Sequence, residues 1–370
     1  MPDTSTSRAP GRLNLSPAPH LGASLSTSRM TWLVSLALVP AAVWGVFLFG
    51  FPAVRVIVTS LCAALISELA SSALFRRFTL GDGSGFLTGL LVGLMMPAGV
   101  PLYVPAAAAA FGILVVKQSF GGLGRNWMNP ALGGVVFALL SWSGAMTRWP
   151  AAGGASMSTA VLPPLEALRS AVSAPGAVGR PLDILSSHGY VFSSLDGSIV
   201  SWLNAHILSP FHATLAGGSF DIIVGYVPGR IGEVSAPLLL LGAAFLVSRR
   251  IVRWQVPVAF VATFAFLAWV FGGFAGGQGW FSGGPVFHVL SGSLILGAFF
   301  MAGDPVTSPL ASTGKWIYGT GLGLLTFLLR FYGSLGDGVA VSILLGNCAV
   351  PLLDTLLQQR MPARARKGSG

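Results

Sequence analysis

The chain has 370 residues, 53% of them hydrophobic and 9% charged, with a formal net charge of +10 and a mean hydropathy of +0.76. A soluble globular domain carries about a quarter charged residues, so composition excludes that class and indicates an integral membrane protein. The excess of positive charge is distributed along the chain in a way that excludes nucleic acid as its reason.

Residues 1–28 are polar and rich in Pro, Ser and Thr, without the apolar centre of a signal peptide, and read as a disordered tail. Five apolar blocks follow, at 31–49, 53–75, 84–97, 101–117 and 128–143. As helices, blocks of roughly 15–22 residues are long enough to cross a hydrocarbon core of about 30 Å. A less apolar stretch occupies 144–234, and five more blocks lie at 235–249, 255–273, 285–302, 315–332 and 338–357. A basic tail, 358–370, ends the chain.

The expected fold class is therefore an all-α polytopic membrane protein of about ten transmembrane helices. With ten spans, both tails and the even-numbered connections share one side of the membrane. That side holds 15 of the 21 basic residues, among them Arg76, Arg77, Lys117, Arg249, Arg250 and Arg253. The remaining six are Arg55, Arg148, Arg169, Arg180, Arg230 and Arg330. By the positive-inside rule both termini are cytoplasmic and the 144–234 insert faces outward.

The blocks divide into five at 29–143 and five at 235–357, and the halves echo each other. FLTGLLVGLMMP (86–97) precedes FGGLGRN (120–126), much as VLSGSLILGAFFMAGDP (289–305) precedes YGSLGDG (332–338). An odd number of spans per half predicts two inverted five-helix repeats. Such repeats commonly build a site from short or interrupted helices. Non-helical backbone cannot face lipid, because each unpaired N–H or C=O costs several kcal/mol.

The stretch KQSFGGLGRNWMNPALGG (117–134) is such an interruption. It is expected to form a glycine-padded re-entry, shielded from lipid by its counterpart at 330–347. Asn129-Pro130 has the pattern of an N-cap followed by proline at the first helical position. Asp82-Gly83-Ser84 and Asp337-Gly338 are similar helix starts. The free N–H groups of such starts hold anionic or carbonyl-bearing groups; ordinary surface caps are the other reading.

Ionisable groups inside apolar blocks are by default functional or paired. Glu68 is the candidate ion-coupling carboxylate, and a structural partner of Lys117, Arg76 or Arg77 is its alternative. Glu233, Asp304 and Asp337 read as helix caps rather than proton carriers. Gly319-Thr320-Gly321-Leu322-Gly323 follows no strand and reads as close helix packing rather than a nucleotide loop. Cys62 and Cys348 read as buried structural thiols. The five histidines are scattered, and no metal site is expected.

Several of these motifs, in order, resemble one family. Asp82-Gly83-Ser84, Thr88-Gly89-Leu90-Leu91, Lys117, Phe120-Gly121-Gly122-Leu123-Gly124, Asn126 and Asn129-Pro130-Ala131 carry the likeness in the first half. Gly232-Glu233, Ser235, Trp254, Pro257, Leu290-Ser291-Gly292, Asp304-Pro305-Val306-Thr307, Gly336-Asp337-Gly338, Asn347, Pro351 and Asp354 carry it in the second. The chain resembles the RnfD/NqrB family, whose members are membrane components of the Rnf electron-transport complex and of the sodium-translocating NADH:quinone oxidoreductase. Length favours the Rnf member of the pair.

The resemblance implies a multispan component of a bacterial inner-membrane complex that passes electrons between NAD(H) and a ferredoxin or quinone, coupled to Na+ or H+ movement. It implies the other subunits of such a complex as partners, one of them bearing a second flavin. It further implies FMN joined by a phosphoester to a threonine of the insert by a separate flavin transferase, and a riboflavin or noncovalent flavin against the interrupted helices. Thr159, in Ser156-Met157-Ser158-Thr159, is the candidate anchor. Here the chain departs from the family pattern. Aligning Pro164-Leu165-Glu166-Ala167-Leu168 with the family's continuation puts Pro163 at the threonine position, and the usual upstream aspartate is missing. A flavin held without a covalent bond, or none, is the alternative.

Arg148, Arg169 and Arg180 lie on the outward side expected for that flavin. No NAD-binding fingerprint occurs, so NADH oxidation is expected elsewhere in the complex. A solute channel of similar inverted architecture and a cofactor-free scaffold are the rival functions, since fold alone does not fix function.

Overall fold

The computed structural model describes residues 26–75, 80–150, 152, 162–173, 178–211, 214–274, 276–334 and 336–359. Among them every regular element is helical, apart from one isolated antiparallel bridge between Pro97 and Arg230. Thr159 and its neighbours lie outside the described residues.

Helix α1, Thr27–Phe49, starts where the Ser26 hydroxyl accepts from the Arg29 N–H and stops at Gly50, whose φ of 65° breaks the helix. The chain turns at once into α2, Phe51–Phe75. Helix α3, Ser84–Leu94, has 11 residues, about 16 Å at the usual rise and half the thickness of a hydrocarbon core. The 84–97 block is thus helical only to Leu94.

Residues 95–102 run on without helix to α4, Tyr103–Phe111, which continues as a wider π-helical turn over Gly112–Gln118. Helix α5, Pro130–Ser141, and the short α6, Ser143–Met146, complete the first half. Helices α4 and α5 meet where Gly112 and Gly134 cross; a Cβ on Gly134 would lie 2.2 Å from the Ala108 carbonyl oxygen. Small residues at such crossings allow close backbone packing in membranes.

Short helices fill the insert: α7, Pro164–Val172; α8, Pro181–Ser187; α9, Ser194–Leu203, extended by a π turn; and α10, Ser219–Val224. Helices α7 and α8 bury Leu165, Leu168, Ile184 and Leu185 in a small second core with Ile222 and with Phe287 from beyond the insert. Asp196 and Asp221 bind this region: Asp196 accepts from the N–H groups of Gly218, Phe220 and Asp221, and Asp221 from the N–H and hydroxyl of Ser193.

The second half comprises α11, Ala236–Ser248; α12, Gln255–Phe271; α13, Pro285–Leu290; the single turn α14, Leu294–Leu296, prolonged by a π turn over Gly297–Met301; α15, Ser312–Tyr332; and α16, Val339–Gln359. The 285–302 block is therefore broken at Ser291–Ser293. Gly319 and Gly323 of α15 press on α12 at Ala259, Phe260 and Thr263, while Gly321 faces open space, as expected of a packing glycine pattern. Helix α1 packs on α11 and α5 on α16, so the halves share one core.

Helices α1, α2, α12 and α16 are each long and apolar enough to cross a membrane; α3, α5 and α11 are shorter apolar helices, as is α4 with its π turn. Large apolar side chains such as Val43, Phe47, Ile66, Leu74, Phe266 and Leu352 are exposed on these helices. A soluble protein would not leave so much of this surface in water. The fold is that of a multi-pass membrane protein.

Two expectations require correction. Cys62 and Cys348 are free thiols on exposed helix faces, not buried ones, because in a bilayer the apolar face of a span turns toward lipid. The 117–134 stretch is only partly enclosed. Lys117, Asn126 and Asn129 are buried, but Phe120, Gly121, Gly124, Arg125 and Trp127 are exposed. Helix α16 packs on α5, the helix that begins within this stretch.

Candidate functional site

Two buried polar centres lie where helices are interrupted. The first gathers around the start of α3. The Asp82 carboxylate accepts from the Ser84 N–H at 2.8 Å and from its hydroxyl, the expected cap. Lys117 donates from Nζ to Glu68 and to the Ser84 hydroxyl. Lys117 and Glu68 are each about 1% exposed.

Glu68 is therefore held by Lys117, one of the partners expected for it, while Arg76 and Arg77 lie outside the described residues. The π turn widens the end of α4 and carries Lys117 to this position; such turns often occur at functional sites. Gly85 leaves room for the pair, since a Cβ there would sit 1.8 Å from Glu68 Oε2.

Beside this pair, Asn129 caps α5 as expected, its Oδ1 accepting from the N–H groups of Ala131 at 3.0 Å and Leu132 at 3.3 Å. Asn126 donates to the Met128 carbonyl at 2.9 Å, while its Oδ1 is buried without a hydrogen-bond partner. A cavity of about 120 Å³ opens here, lined by Thr31, Thr88, Lys117, Asn126 and Asn129 from the first half and by Asp304 from the second. Asp304 accepts from the Val306 N–H at 3.1 Å, capping its own turn. Burial raises its carboxyl above the ordinary range, partly offset by that bond.

The second centre surrounds the break between α13 and α14. Arg230 Nη1 lies 3.0 Å from Asp337 Oδ2, donates to the Ser293 hydroxyl at 3.2 Å and lies 3.5 Å from Glu233 Oε2. Asp337 accepts from the Ser293 N–H at 2.7 Å and from its hydroxyl. Arg330 donates to the carbonyls of His288, Ser291 and Asp337, and its guanidinium sits 4.7 Å from the Phe264 ring centre. The unpaired backbone of the broken helix is thus satisfied by side chains of other segments, as a lipid environment requires.

Asp337 is not the cap of α16; it serves the neighbouring break instead. Glu233 does not cap α11 either. Its Oε1 accepts from the Arg230 N–H at 3.1 Å and closes its own loop. That loop also completes α3, as the N–H groups of Ile231 and Gly232 donate to the carbonyls of Met96 at 3.1 Å and Leu94 at 2.8 Å. Gly232 is needed for this approach, since a Cβ would lie 2.6 Å from Leu94 Cβ.

Two cavities flank α7 at this centre. One of about 40 Å³ is lined by Trp149, Glu166, Arg169, Arg230, Glu233 and Asp337, among others. The other, of about 300 Å³, touches Arg169, His288, Arg330 and Phe331 and the backbone of Gly272, Gly273 and Gly283. His288 Nδ1 and Arg330 Nη2 are buried and lack partners. Among the described residues, the lining of this larger cavity includes no carboxylate. Its size lies at the lower end of ordinary ligand pockets, and its charge suits a ring bearing hydrogen-bond acceptors, so these residues fit a flavin ring.

Of the arginines expected near a flavin, Arg169 belongs to this centre, donating to the carbonyls of Leu329 and Arg330. Arg148 and Arg180 are exposed and do not. Thr159 falls between Ala152 and Leu162, the nearest described residues, and Pro163 two positions beyond Val161 lines the smaller cavity. Sequence reasoning missed Arg230, His288, Ser293 and Arg330 as members of one centre. Arg330 carried a signal, being a charge within an apolar block; Arg230 and Ser293 carried none.

The chain matches the NQR2, RnfD, RnfE family over residues 14–362. It is 38% identical over 350 residues to the D component of the proton-translocating ferredoxin:NAD(+) oxidoreductase complex of Clostridium ljungdahlii, covering 93% of this chain and 94% of that protein. The D component of the Na(+)-translocating ferredoxin:NAD(+) oxidoreductase complex of Acetobacterium woodii is 32% identical over 352 residues, covering 94% and 95%. The D component of the ion-translocating oxidoreductase complex of Stutzerimonas stutzeri is 34% identical over 349 residues, covering 93% and 94%.

Proposed function

The chain belongs to the NQR2, RnfD, RnfE family, and from that membership we propose that it is the membrane-embedded, flavin-carrying RnfD component of an Rnf-type complex. In this reading it passes electrons between redox centres of partner subunits, coupled to Na+ or H+ movement. Its partners are the other subunits of the complex and a flavin transferase. The chain lies in a bacterial inner membrane as ten spans in two inverted five-helix repeats, with both termini cytoplasmic and the insert outward.

One observation supports the flavin assignment: a cavity of about 300 Å³ beside a broken helix, walled by Arg169, Arg330 and His288 and, among the described residues, without a carboxylate in its lining. A flavin takes up and releases one or two electrons, while the protein supplies binding, orientation and electrostatics. Arg330 and Arg169 would hold the acceptor edge of the ring and offset negative charge on it. Arg330 is kept in place by the carbonyls of His288, Ser291 and Asp337. Thr159 is the proposed covalent anchor of FMN. A riboflavin or other noncovalent flavin is proposed for the cavity at Asn126 and Asn129. Glu68, aligned by Lys117, is the proposed ion-coupling carboxylate of the cytoplasmic side.

Mass spectrometry of the intact purified chain tests this reading. One added FMN is expected in the natural chain and none in Thr159→Ala. A colourless chain of unmodified mass would refute the flavin-carrying role and leave a scaffold.

A further inference from the structure

We propose that Glu233 is a proton-holding carboxylate that exchanges its proton with water in the cavity of about 40 Å³ between α7 and the 225–235 loop. This deepens the ion-translocating reading and rests on it for the direction of exchange, but the titration itself stands on the geometry of the loop.

The two oxygens of Glu233 differ in their environment. Oε1 is committed to the Arg230 N–H at 3.1 Å. Oε2 is buried without a hydrogen-bond partner and lies 3.5 Å from Arg230 Nη1, too long for a good hydrogen bond. That nitrogen is already engaged by Asp337 at 3.0 Å and by the Ser293 hydroxyl at 3.2 Å. Asp337 therefore takes the guanidinium and Glu233 stands second to it.

Arg230 Nε also lacks a partner, and both residues line the same cavity. A cavity of this size, with Glu233, Arg230, Glu166 and Asp337 in its lining, has room for about three waters, at about 10–15 Å³ each. Water there can donate to Glu233 Oε2 and accept from Arg230 Nε.

The surrounding charges favour a change of state at this residue. Facing it are Arg230 from its own loop, Glu166 and Arg169 from α7, Arg330 from α15 and Asp337 from the loop before α16. With every group ionised, three guanidiniums balance three carboxylates, and a proton on Glu233 leaves one positive charge over. Burial raises Glu233 to about 7, against the lowering by Arg230 and with a further rise from Asp337. Burial acts on Asp337 in the same sense but is overcome by Arg230 and Arg330, which hold it far below the ordinary range.

Glu233 is therefore neutral below neutrality and charged above it, while Asp337 stays charged on both sides. Uptake transfers a proton from hydronium in the cavity to Oε2 and leaves water; release reverses this transfer, and no electron moves. A charged Glu233 competes with Asp337 for Arg230, the residue that also holds Ser293 at the helix break. Proton exchange is thereby tied to the second centre.

Infrared difference spectroscopy of the full chain in lipid nanodiscs, titrated through neutrality, provides the direct test. A carboxylic acid band is expected to vanish as pH rises through about 7, to shift in heavy water, to be missing from Glu233→Gln and to survive in Glu166→Gln. A band that persists in Glu233→Gln, or no band that titrates near neutrality, would overturn the assignment. Should Glu233→Gln fail to fold, Glu233→Asp keeps the acid and is expected to move the band.

In the assembled complex in vesicles, Glu233→Gln is expected to abolish ion translocation while electron flow continues. Unchanged translocation would remove Glu233 from the ion path. If the natural complex moves no ions, the translocating reading fails, and the infrared result still decides whether Glu233 holds a proton.

Discussion

Glu68 and Lys117 show how a single buried pair constrains a membrane protein. A lone charge within apolar surroundings is costly, and removing one member of a buried pair typically costs about 3–5 kcal/mol because the other is stranded. Glu68→Gln is accordingly expected to strand Lys117 and to lower the thermal midpoint of the purified chain sharply, with much of the loss restored in the double variant Glu68→Gln, Lys117→Met. If the two single losses simply added, the pair would not act as a unit. The sequence allowed Lys117 as a partner of Glu68 because both interrupt apolar runs, although three basic residues were available. Burial of the pair against Ser84 depends on packing between α2, α3 and the end of α4, which no local pattern encodes. Asp337 and Glu233 illustrate the same limit, since proximity to a helix start in sequence suggested a cap that tertiary contacts directed elsewhere.

Helix starts were the most legible elements. Asn129-Pro130 combines a side-chain acceptor with a residue that needs no N–H partner, and the structure uses both. Asn129→Ala is expected to destabilise the chain by about 1 kcal/mol, the usual value of such a cap, read as a lower midpoint in detergent titration; Asn129→Asp should retain most of the stability. Helix ends were less legible. Block 84–97 reads as one span, yet helix stops at Leu94, where the carbonyls find donors in the distant Ile231 and Gly232. Block 285–302 also reads as continuous, and only the placement of Arg330 and Asp337 makes the break at Ser291–Ser293 tolerable. Hydropathy measures the solvent that a segment can tolerate, and it is blind to donors supplied from far along the chain.

At the scale of the molecule, the class was evident from composition: few charges, long apolar blocks and small residues at crossings leave little besides a helical membrane protein. The family was evident from motifs spread over nearly the whole chain, and the match over residues 14–362 bears it out. Neither reading located the cavities, because these lie between elements far apart in sequence, α7 with α15 in one case and α1 with the 300–306 region in the other.

The stitch between α3 and the Ile231–Gly232 loop also bears on biogenesis. During synthesis the ribosome delivers α3 long before the strip that completes it, so the nascent first half enters the bilayer with raw carbonyls at Leu94 and Met96. Those carbonyls wait for the donors of Ile231 and Gly232 until that loop has been made. A chain truncated after Val224 is accordingly expected to be degraded rapidly in cells, as pulse-chase labelling would show, whereas co-expression of the missing remainder should rescue it.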